Sequence, residues 1–269
     1  MTAVVATETP RVVLPTKKTV AINRWIDQKI LMLGPGGIGK SEFWAQGEKT
    51  LFLECEPGLG HLSVLKVPCR DWGDIREAYA QLYLAAQAMG WDASKPDYEV
   101  AAKFPYDTIV IDTIDRFVSF GSEETIGRAK LKYKKDIADA INSLGDIPNG
   151  AGWYSQTELI GNSLRKFEGL PCAVVLIGHL KKETIEEATR KIPYTTISIG
   201  GQTGTNLLYW SDHTMHLQSR MVGDEIRRQV RTKPTENIEA KSKGGVIADP
   251  MPWGPDAKEN YDRLRKLFT

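Results

Sequence analysis

Residues 34–41 read Gly34-Pro35-Gly36-Gly37-Ile38-Gly39-Lys40-Ser41. This stretch matches the phosphate-loop pattern G-x-x-x-x-G-K-[ST] at every fixed position. A short apolar run, residues 30–33, precedes it, and a short helix starting near Lys40 can follow. Glycines let backbone N–H groups turn toward phosphate oxygens, a lysine adds positive charge at the β and γ phosphates, and a serine hydroxyl suits Mg²⁺. The stretch predicts a nucleotide-binding loop between a buried strand and a helix.

The rest of the chain predicts an α/β fold around that loop. Further apolar runs occupy residues 50–53, 108–111 and 173–177. Continuous apolar runs separated by helical stretches indicate parallel strands covered on both faces. One such stretch, residues 71–89, has apolar residues at spacings of three and four, which is typical of an amphipathic helix. We therefore expect a mostly parallel central sheet flanked by helices.

The C-terminal third predicts an antiparallel extension of this sheet. Residues 214–217 and 227–231 are expected to be strands joined through Gly223 and Asp224. Pro255 is expected to open a last helix. Apolar residues on one face of that helix are Ala257, Tyr261, Leu264 and Phe268.

Composition limits the function classes. The 269 residues include 35 Lys and Arg, 34 Asp and Glu and three Cys, for a formal net charge of +1. We expect a flexible arm over residues 1–19 and one domain over residues 20–269. An odd cysteine count without a C-x-x-C pair argues against a disulfide framework or zinc site and favours the cytoplasm. No apolar run approaches the ~20 residues that span a bilayer. Near-neutral charge means that any nucleic-acid binding must rest on local patches.

Carboxylates after two of the predicted strands are candidates for metal binding and catalysis. Asp112 closes the run at residues 108–111, where its carboxylate would hold Mg²⁺ through water. The next residue is Thr113, whereas many ATPases place a water-activating glutamate there. A base must therefore come from elsewhere. Glu54 and Glu56 both follow the second run and are the candidates, with Glu56 nearer the expected crevice; a solvated turn glutamate is an equally open reading.

The arrangement resembles the RecA-like recombinase ATPases, and more closely the phage-encoded RecA-like proteins of the Sak type that act in single-strand annealing and recombination. The resemblance covers most of the chain from about Thr19. Its motifs are residues 34–41, Phe52-Leu53-Glu54-Cys55-Glu56, Ile109-Val110-Ile111-Asp112-Thr113, Leu176-Ile177-Gly178-His179 and Ile199-Gly200-Gly201-Gln202.

The resemblance implies a RecA-like P-loop NTPase core that hydrolyses ATP with Mg²⁺. It selects Glu56 as the catalytic glutamate, with Lys40 on the phosphates and Ser41 and Asp112 on the metal. His179 stands where those recombinases carry a glutamine that senses the γ-phosphate and leads into a DNA-binding loop. This histidine is a departure from the family pattern.

The resemblance also implies single-stranded DNA as a partner. Residues 181–205 correspond to the second DNA-binding loop, with Lys181, Lys182, Arg190 and Lys191, and residues 145–154 to the first, with Trp153. Basic side chains with an aromatic available for stacking suit a single strand. A basic run, residues 128–135, is a further candidate for phosphate contact, although such runs are usually solvated helix faces.

Residues 227–245 resemble the hairpin that, in RecA-like filaments, sends lysines to the ATP of a neighbouring subunit. The positions available are Arg231, Lys233, Lys241 and Lys243. We therefore expect a homo-oligomer, a ring or filament on DNA, whose assembly depends on residues 1–19 or on the DNA. A single-strand-binding protein is a further expected partner, and a membrane is not.

The resulting hypothesis is a DNA-stimulated ATPase that assists phage recombination or annealing. Two alternatives stay open. One is another P-loop phosphotransferase, such as a small-molecule kinase, although no arginine-bearing lid is evident. The other is a non-catalytic module in which ATP only orders the DNA-binding loops.

Overall fold

The computed structural model describes residues 16, 18, 23–186 and 191–268. The arm predicted for residues 1–19 lies almost entirely outside the described residues, as does Arg190. Within them the chain forms eleven strands and eight α-helices. The strands are β1 (Lys29–Leu33), β2 (Thr50–Glu54), β3 (Leu65–Pro68), β4 (Thr108–Asp112), β5 (Ala173–Gly178), β6 (Leu180–Glu186), β7 (Lys191–Ile197), β8 (His213–Val222), β9 (Glu225–Arg231), β10 (Lys241–Ser242) and β11 (Met251–Trp253). The helices are α1 (Lys40–Trp44), α2 (Trp72–Ala88), α3 (Tyr98–Lys103), α4 (Ile114–Lys132), α5 (Lys135–Ala140), α6 (Ala151–Glu168), α7 (Gly201–Trp210) and α8 (Ala257–Arg265).

The central sheet confirms the predicted fold class. Its strand order is β11-β9-β8-β1-β5-β4-β2-β3, with β10 paired to β8. The strands from β3 to β8 along this order run parallel, and β9, β10 and β11 add antiparallel edges. All four apolar runs read from the sequence are parallel strands near the middle of this sheet. The sheet has the strand arrangement of a P-loop NTPase core, with the phosphate-loop strand β1 separated from β4 by β5.

Alternate residues of the buried strands pack into two hydrophobic cores, one on each face of the sheet. On β4, Ile109 and Ile111 join the core under α2, α4 and α6, whereas Val110 points into the core beside α1 and α8. The second core is rich in aromatic rings, among them Phe43, Trp44 and Tyr261, which pack edge to face. Burial on both faces explains why these strands read as continuous apolar runs rather than as alternating ones.

The C-terminal region follows the sequence expectation with shifted boundaries. β8 and β9 form the predicted antiparallel hairpin, but both strands are longer than predicted. The last helix begins at Ala257 rather than at Pro255, because the carboxylate of Asp256 caps it by accepting hydrogen bonds from the backbone of Lys258 and Glu259. No helix in the described part of the chain is long and apolar enough to cross a bilayer.

Two segments expected to be loops are largely regular structure. Strands β6 (Leu180–Glu186) and β7 (Lys191–Ile197) pair with each other in a separate antiparallel sheet, and Gly201 begins α7. The other segment, residues 145–154, holds two short 3-10 turns and the first turn of α6. Pairing across β6 and β7 satisfies backbone groups that an open loop would leave to solvent. Strands, 3-10 turns and helix starts therefore occupy the described parts of the two segments that resemble DNA-binding loops.

Candidate functional site

The phosphate loop leaves β1 at Leu33 and returns the chain into α1 at Lys40. Two of its glycines, Gly37 and Gly39, have φ angles of 70° and 99°. This left-handed region is readily accessible to glycine and strained for residues with a Cβ. The glycines at these positions are therefore required by the turn itself.

Lys40 lies inside the loop. Its Nζ donates to the backbone carbonyls of Gly34 and Pro35, at 2.8 and 2.9 Å. Burial lowers the pKa of Lys40, while the nearby carboxylates of Asp112, Asp115 and Glu56 act in the opposite direction. The lysine is thus a buried cation placed where the loop amides would hold phosphate.

Ser41 and Asp112, the two predicted metal ligands, meet directly. Ser41 Oγ donates to Asp112 Oδ2 at 2.6 Å. Burial raises the pKa of Asp112, and Glu56 raises it further, against the lowering effects of Ser41, Lys40 and His179. A hydroxyl beside a buried carboxylate is the oxygen donor set that Mg²⁺ takes in phosphate-loop proteins, where phosphates and waters complete its coordination. The residues present therefore fit Mg²⁺.

The two candidate glutamates, Glu54 and Glu56, have different environments. Glu54 Oε1 accepts from the backbone of Gly58 and Leu59, and its Oε2 lies 2.9 Å from Lys66 Nζ on β3. Burial raises its pKa, but these bonds outweigh burial and hold the pKa below its usual value. Glu54 thus anchors the loop after β2.

Glu56 is exposed, and it faces the end of β4. Its backbone N–H donates to the Asp112 carbonyl at 3.1 Å, and its Oε2 accepts from Thr113 Oγ1 at 2.9 Å. The structure therefore brings Glu56, Asp112 and the phosphate loop together.

His179 follows β5 and is held by Asp115, a residue that the sequence analysis did not single out. Asp115 Oδ2 accepts from the His179 backbone N–H at 3.0 Å and lies 3.3 Å from its Nδ1. The other oxygen of Asp115 accepts from the Ser198 hydroxyl, and the Ser198 N–H donates to the His179 carbonyl at 3.0 Å. Asp115 thus joins the end of β5 to the segment after β7.

Asp115, which holds His179 and Ser198, also lines a groove of about 1010 Å³, which we call the Trp153 groove. It lies between the starts of α4 and α6 and the turn into α7. Trp153 and Tyr154 line it on one side and are 60% and 71% exposed, and Ile199 to Gln202 line it on the other. The charged residues among its described lining are both acidic, Asp115 and Glu158. The groove walls therefore suit flat, uncharged rings better than phosphates.

Lys181, Lys182 and Lys191, three of the predicted basic residues, are not among the residues that line this groove. Lys181 and Lys182 are on β6, and Lys181 Nζ pairs with Glu183 at 2.6 Å. The same Nζ would lie 3.7 Å from a Cβ placed on Gly200 in the groove wall. Lys191 begins β7. Lys182 is exposed.

Most of the predicted inter-subunit residues are occupied away from the phosphate loop of their own chain. Arg231 forms a two-pronged ion pair with Asp249. Lys243 pairs with Asp212 at 3.0 Å, and Lys241 Nζ donates to the Tyr209 carbonyl at 3.4 Å, both toward the amino-terminal end of β1. Lys233 is exposed just beyond β9. Their proposed role toward a neighbouring subunit stays a prediction.

A second functional candidate missed from sequence is Arg228 on β9. A Cβ placed on Gly39 would lie 3.7 Å from its Nη1. Nothing in the sequence separates Arg228 from Arg227 or Arg231, because proximity to the phosphate loop depends on the register of the hairpin. Asp115 lies three residues after Asp112, at the start of α4, and this closeness in sequence is what could have identified it as a site residue.

The chain is similar to a known protein family over most of its length. The family model described as AAA domain (AAA_24) matches residues 26–243. A KaiC-like protein from the hyperthermophilic archaeon Pyrococcus horikoshii aligns with 87% of this chain and 88% of its own, at 11% identity and a TM-score of 0.42. No curated protein matches the chain. Because the family model spans most of the sequence and its phosphate loop, this chain belongs to the AAA domain family of P-loop ATPases.

Proposed function

We propose that the protein hydrolyses ATP with Mg²⁺ and couples this reaction to the binding of single-stranded DNA. The observation that carries the proposal is the convergence of Glu56, Asp112 and His179 from three adjacent strands. β2, β4 and β5 are neighbours in the parallel sheet, so their carboxyl ends share one edge with the phosphate loop. Ligands bind at that edge in sheets of this kind.

Each residue has a distinct task in hydrolysis. Lys40 and the loop amides bind the phosphate chain, and Ser41 with Asp112 holds Mg²⁺, which neutralises charge on the phosphates when bound. Glu56 accepts the proton of the attacking water. Since the Thr113 hydroxyl engages Oε2, Oε1 is the oxygen left to accept that proton. Holding the carboxylate in this way fixes the direction of proton transfer.

His179 is placed to report the γ-phosphate to the Trp153 groove. Its Nδ1 faces Asp115, which leaves Nε2 as the ring nitrogen that contacts phosphate. A shift of His179 would act on Asp115 and, through it, on Ser198 at the start of the groove wall. ATP binding and the groove are thereby coupled through hydrogen bonds that already exist in the fold.

The Trp153 groove is the proposed DNA site. Trp153 stacks on bases, and Tyr154 offers a second ring. Lys181 and Lys182 on β6 and Lys191 at the start of β7 neutralise phosphates, as does Arg190. Acidic residues in the groove keep the phosphate chain outside it. Basic side chains beside an aromatic groove favour a single strand over a duplex, whose bases are stacked on one another.

The biological setting rests on motif resemblance alone. It is recombination or annealing in the cytoplasm by a phage protein of the Sak type, acting as a ring or filament with single-strand-binding protein nearby. Lys233, Lys241 and Lys243 are the proposed contacts to the ATP of a neighbouring subunit. The domain limits proposed are residues 20–269, with residues 1–19 as a flexible arm.

The experiment is steady-state ATP hydrolysis with Mg²⁺, with and without an oligo-dT strand, together with a gel-shift assay at low salt. We expect hydrolysis that rises several-fold with DNA and retention of the strand. Hydrolysis unchanged by DNA, with no retention, would overturn the coupling. Nucleotide-dependent retention without any hydrolysis would favour the module in which ATP only orders the structure.

A further inference from the structure

We propose that Arg228 binds the phosphate chain of the nucleotide held in its own chain's phosphate loop. The inference rests on the nucleotide site described above and adds a ligand from the β8–β9 hairpin. Sequence resemblance pointed to lysines of this region that reach a neighbouring subunit. The geometry instead points to an arginine that acts within one chain.

The hairpin lies against the phosphate loop at two places. A Cβ placed on Gly34, at the loop's start, would lie 3.0 Å from the Leu217 Cβ on β8. At the loop's end, a Cβ placed on Gly39 would lie 3.7 Å from Arg228 Nη1. A distance of 3.7 Å is ordinary van der Waals contact, so the guanidinium lies directly beside the loop backbone at Gly39. The arginine therefore lies within reach of any phosphate that the loop amides bind.

Strand register fixes which face of the hairpin Arg228 occupies. Arg228 is directly opposite Trp253 of β11, so the two side chains share one face of the sheet. The Trp253 ring packs 4.9 Å from Phe43 on α1, which identifies that face as the one that carries the phosphate-loop helix. Val230, two residues along, is buried in the same core as Phe43. Arg227 must then point to the opposite face.

The charges around Arg228 favour an anionic ligand. Its neighbours on β9 are paired, Arg227 with Glu225 at 3.3 Å and Arg231 with Asp249 at 3.1 Å. Among the described residues, Arg228 forms no ion pair within 4.0 Å, and the Glu42 carboxylate would lie 3.6 Å from the same Cβ on Gly39. A guanidinium presents planar N–H donors that match two phosphate oxygens at once. Arg228 is therefore an exposed cation beside a phosphate site.

The test compares Arg228→Ala with Arg227→Ala, a matched change one residue away on the other face. Affinities for ATP and ADP are measured by titration calorimetry with Mg²⁺, and melting without nucleotide shows that both variants fold. We expect Arg228→Ala to weaken ATP and ADP about 10-fold to 100-fold, as for a charge-assisted hydrogen bond. Arg228→Lys should recover part of that loss, and Arg227→Ala should stay within about twofold of wild type.

The outcomes separate this inference from the nucleotide site itself. Lys40→Ala must weaken ATP binding if the phosphate loop is the site; if it does not, the site fails as a whole. If Lys40→Ala weakens binding and Arg228→Ala does not, or if Arg227→Ala weakens it equally, the Arg228 contact is wrong. A loss confined to ATP supports the contact and assigns it to the terminal phosphate.

Mixing variants tests whether the contact is made within one chain. Lys40→Ala and Arg228→Ala proteins each lack one partner. If Arg228 serves its own chain, a mixture binds ATP no better than Arg228→Ala alone. Recovery of wild-type affinity at half the sites would show that the arginine comes from a neighbour and would overturn the proposal.

Discussion

The phosphate-loop cleft and the Trp153 groove open at the same edge of the parallel strands, but they are assembled from different kinds of sequence. In the cleft, residues 34–41 carry most of the donors, and Glu56 and Asp112 come directly from strand ends. The groove is assembled from the starts of α4 and α6 and the turn after β7. Local sequence therefore specifies the first site, whereas the second exists only after folding.

The two regions meet at the start of α4, within three residues of one another. Thr113 caps α4 and donates to Glu56, and Asp115 holds His179 and Ser198. The start of α4 thus contacts Glu56 in the cleft and Ser198 beside the groove wall. A change in one region has a short, hydrogen-bonded route to the other.

The largest expected effect comes from removing the proposed catalytic base, a change confined to the cleft. Glu56→Gln should lower the rate of ATP hydrolysis by about 10²-fold to 10⁴-fold, because the amide cannot accept the proton of water. ATP affinity should change little, since Glu56 does not contact the phosphates in this account. Phosphate release and calorimetric binding provide the two readings. A wild-type rate in this variant would remove Glu56 as the base.

The next largest effect is expected from a change confined to the Trp153 groove. Trp153→Ala should weaken oligo-dT binding by about 1 to 3 kcal/mol, the amount lost when a base–aromatic stack is removed. Fluorescence anisotropy at fixed salt measures it. Tyr83→Ala is the control, because Tyr83 is 44% exposed on α2 and outside the groove lining. Equal losses in both variants would refute the groove as the DNA site.

A smaller effect is expected from cutting the connection between the regions. Asp115→Ala should lower the DNA-stimulated rate about tenfold and the rate without DNA less, because His179 and Ser198 lose their shared acceptor. Asp115→Asn keeps one acceptor oxygen and should recover part of the stimulation. If Asp115→Ala lowers both rates by the same factor, Asp115 only stabilises the fold and does not couple the sites.

The smallest expected effect is a loss of stability at low pH, caused by two buried histidines on β8. Burial lowers the pKa of His213 and His216 on β8 to about 4, well below the ordinary value near 6.5. Between these values the unfolded chain binds protons that the native state does not, so stability falls as the pH drops below 6.5. We expect a loss of about 1 kcal/mol per histidine between pH 7 and pH 5.5.

Urea unfolding across this pH range measures the loss. His216→Leu should reduce the slope by about half, and His216 Nδ1 has no described hydrogen-bond partner to lose. A slope unchanged in His216→Leu would show that other groups titrate instead.

Sequence predicted the cleft and the sheet because each depends on local pattern. The glycines at 37 and 39 are dictated by backbone angles, and the apolar runs by burial on two faces. Sequence could not choose between Glu54 and Glu56 without the resemblance, since both follow the same strand. The choice depends on Lys66 and the backbone of residues 58 and 59, which engage Glu54 in the folded chain.

The parts missed from sequence depend on contacts between distant segments. Asp115 and Ser198 are 83 residues apart in the chain, and Arg228 reaches Gly39 only through the register of β8 and β9. The β6–β7 hairpin was missed because charged residues interrupt its alternation of polar and apolar side chains. Leu180 and Ile197, which face each other across the two strands, pack against the core, and strand pairing satisfies the backbone groups beyond them.

The central claim is that the cleft and the groove are coupled, and one measurement tests it most directly. It is the affinity of Glu56→Gln protein for oligo-dT, measured with and without ATP and Mg²⁺, so that hydrolysis does not interfere. A coupling of about 1 to 3 kcal/mol predicts that ATP changes DNA affinity about 5-fold to 150-fold, and that DNA changes ATP affinity by the same factor. Equal DNA affinity in both conditions would contradict the account.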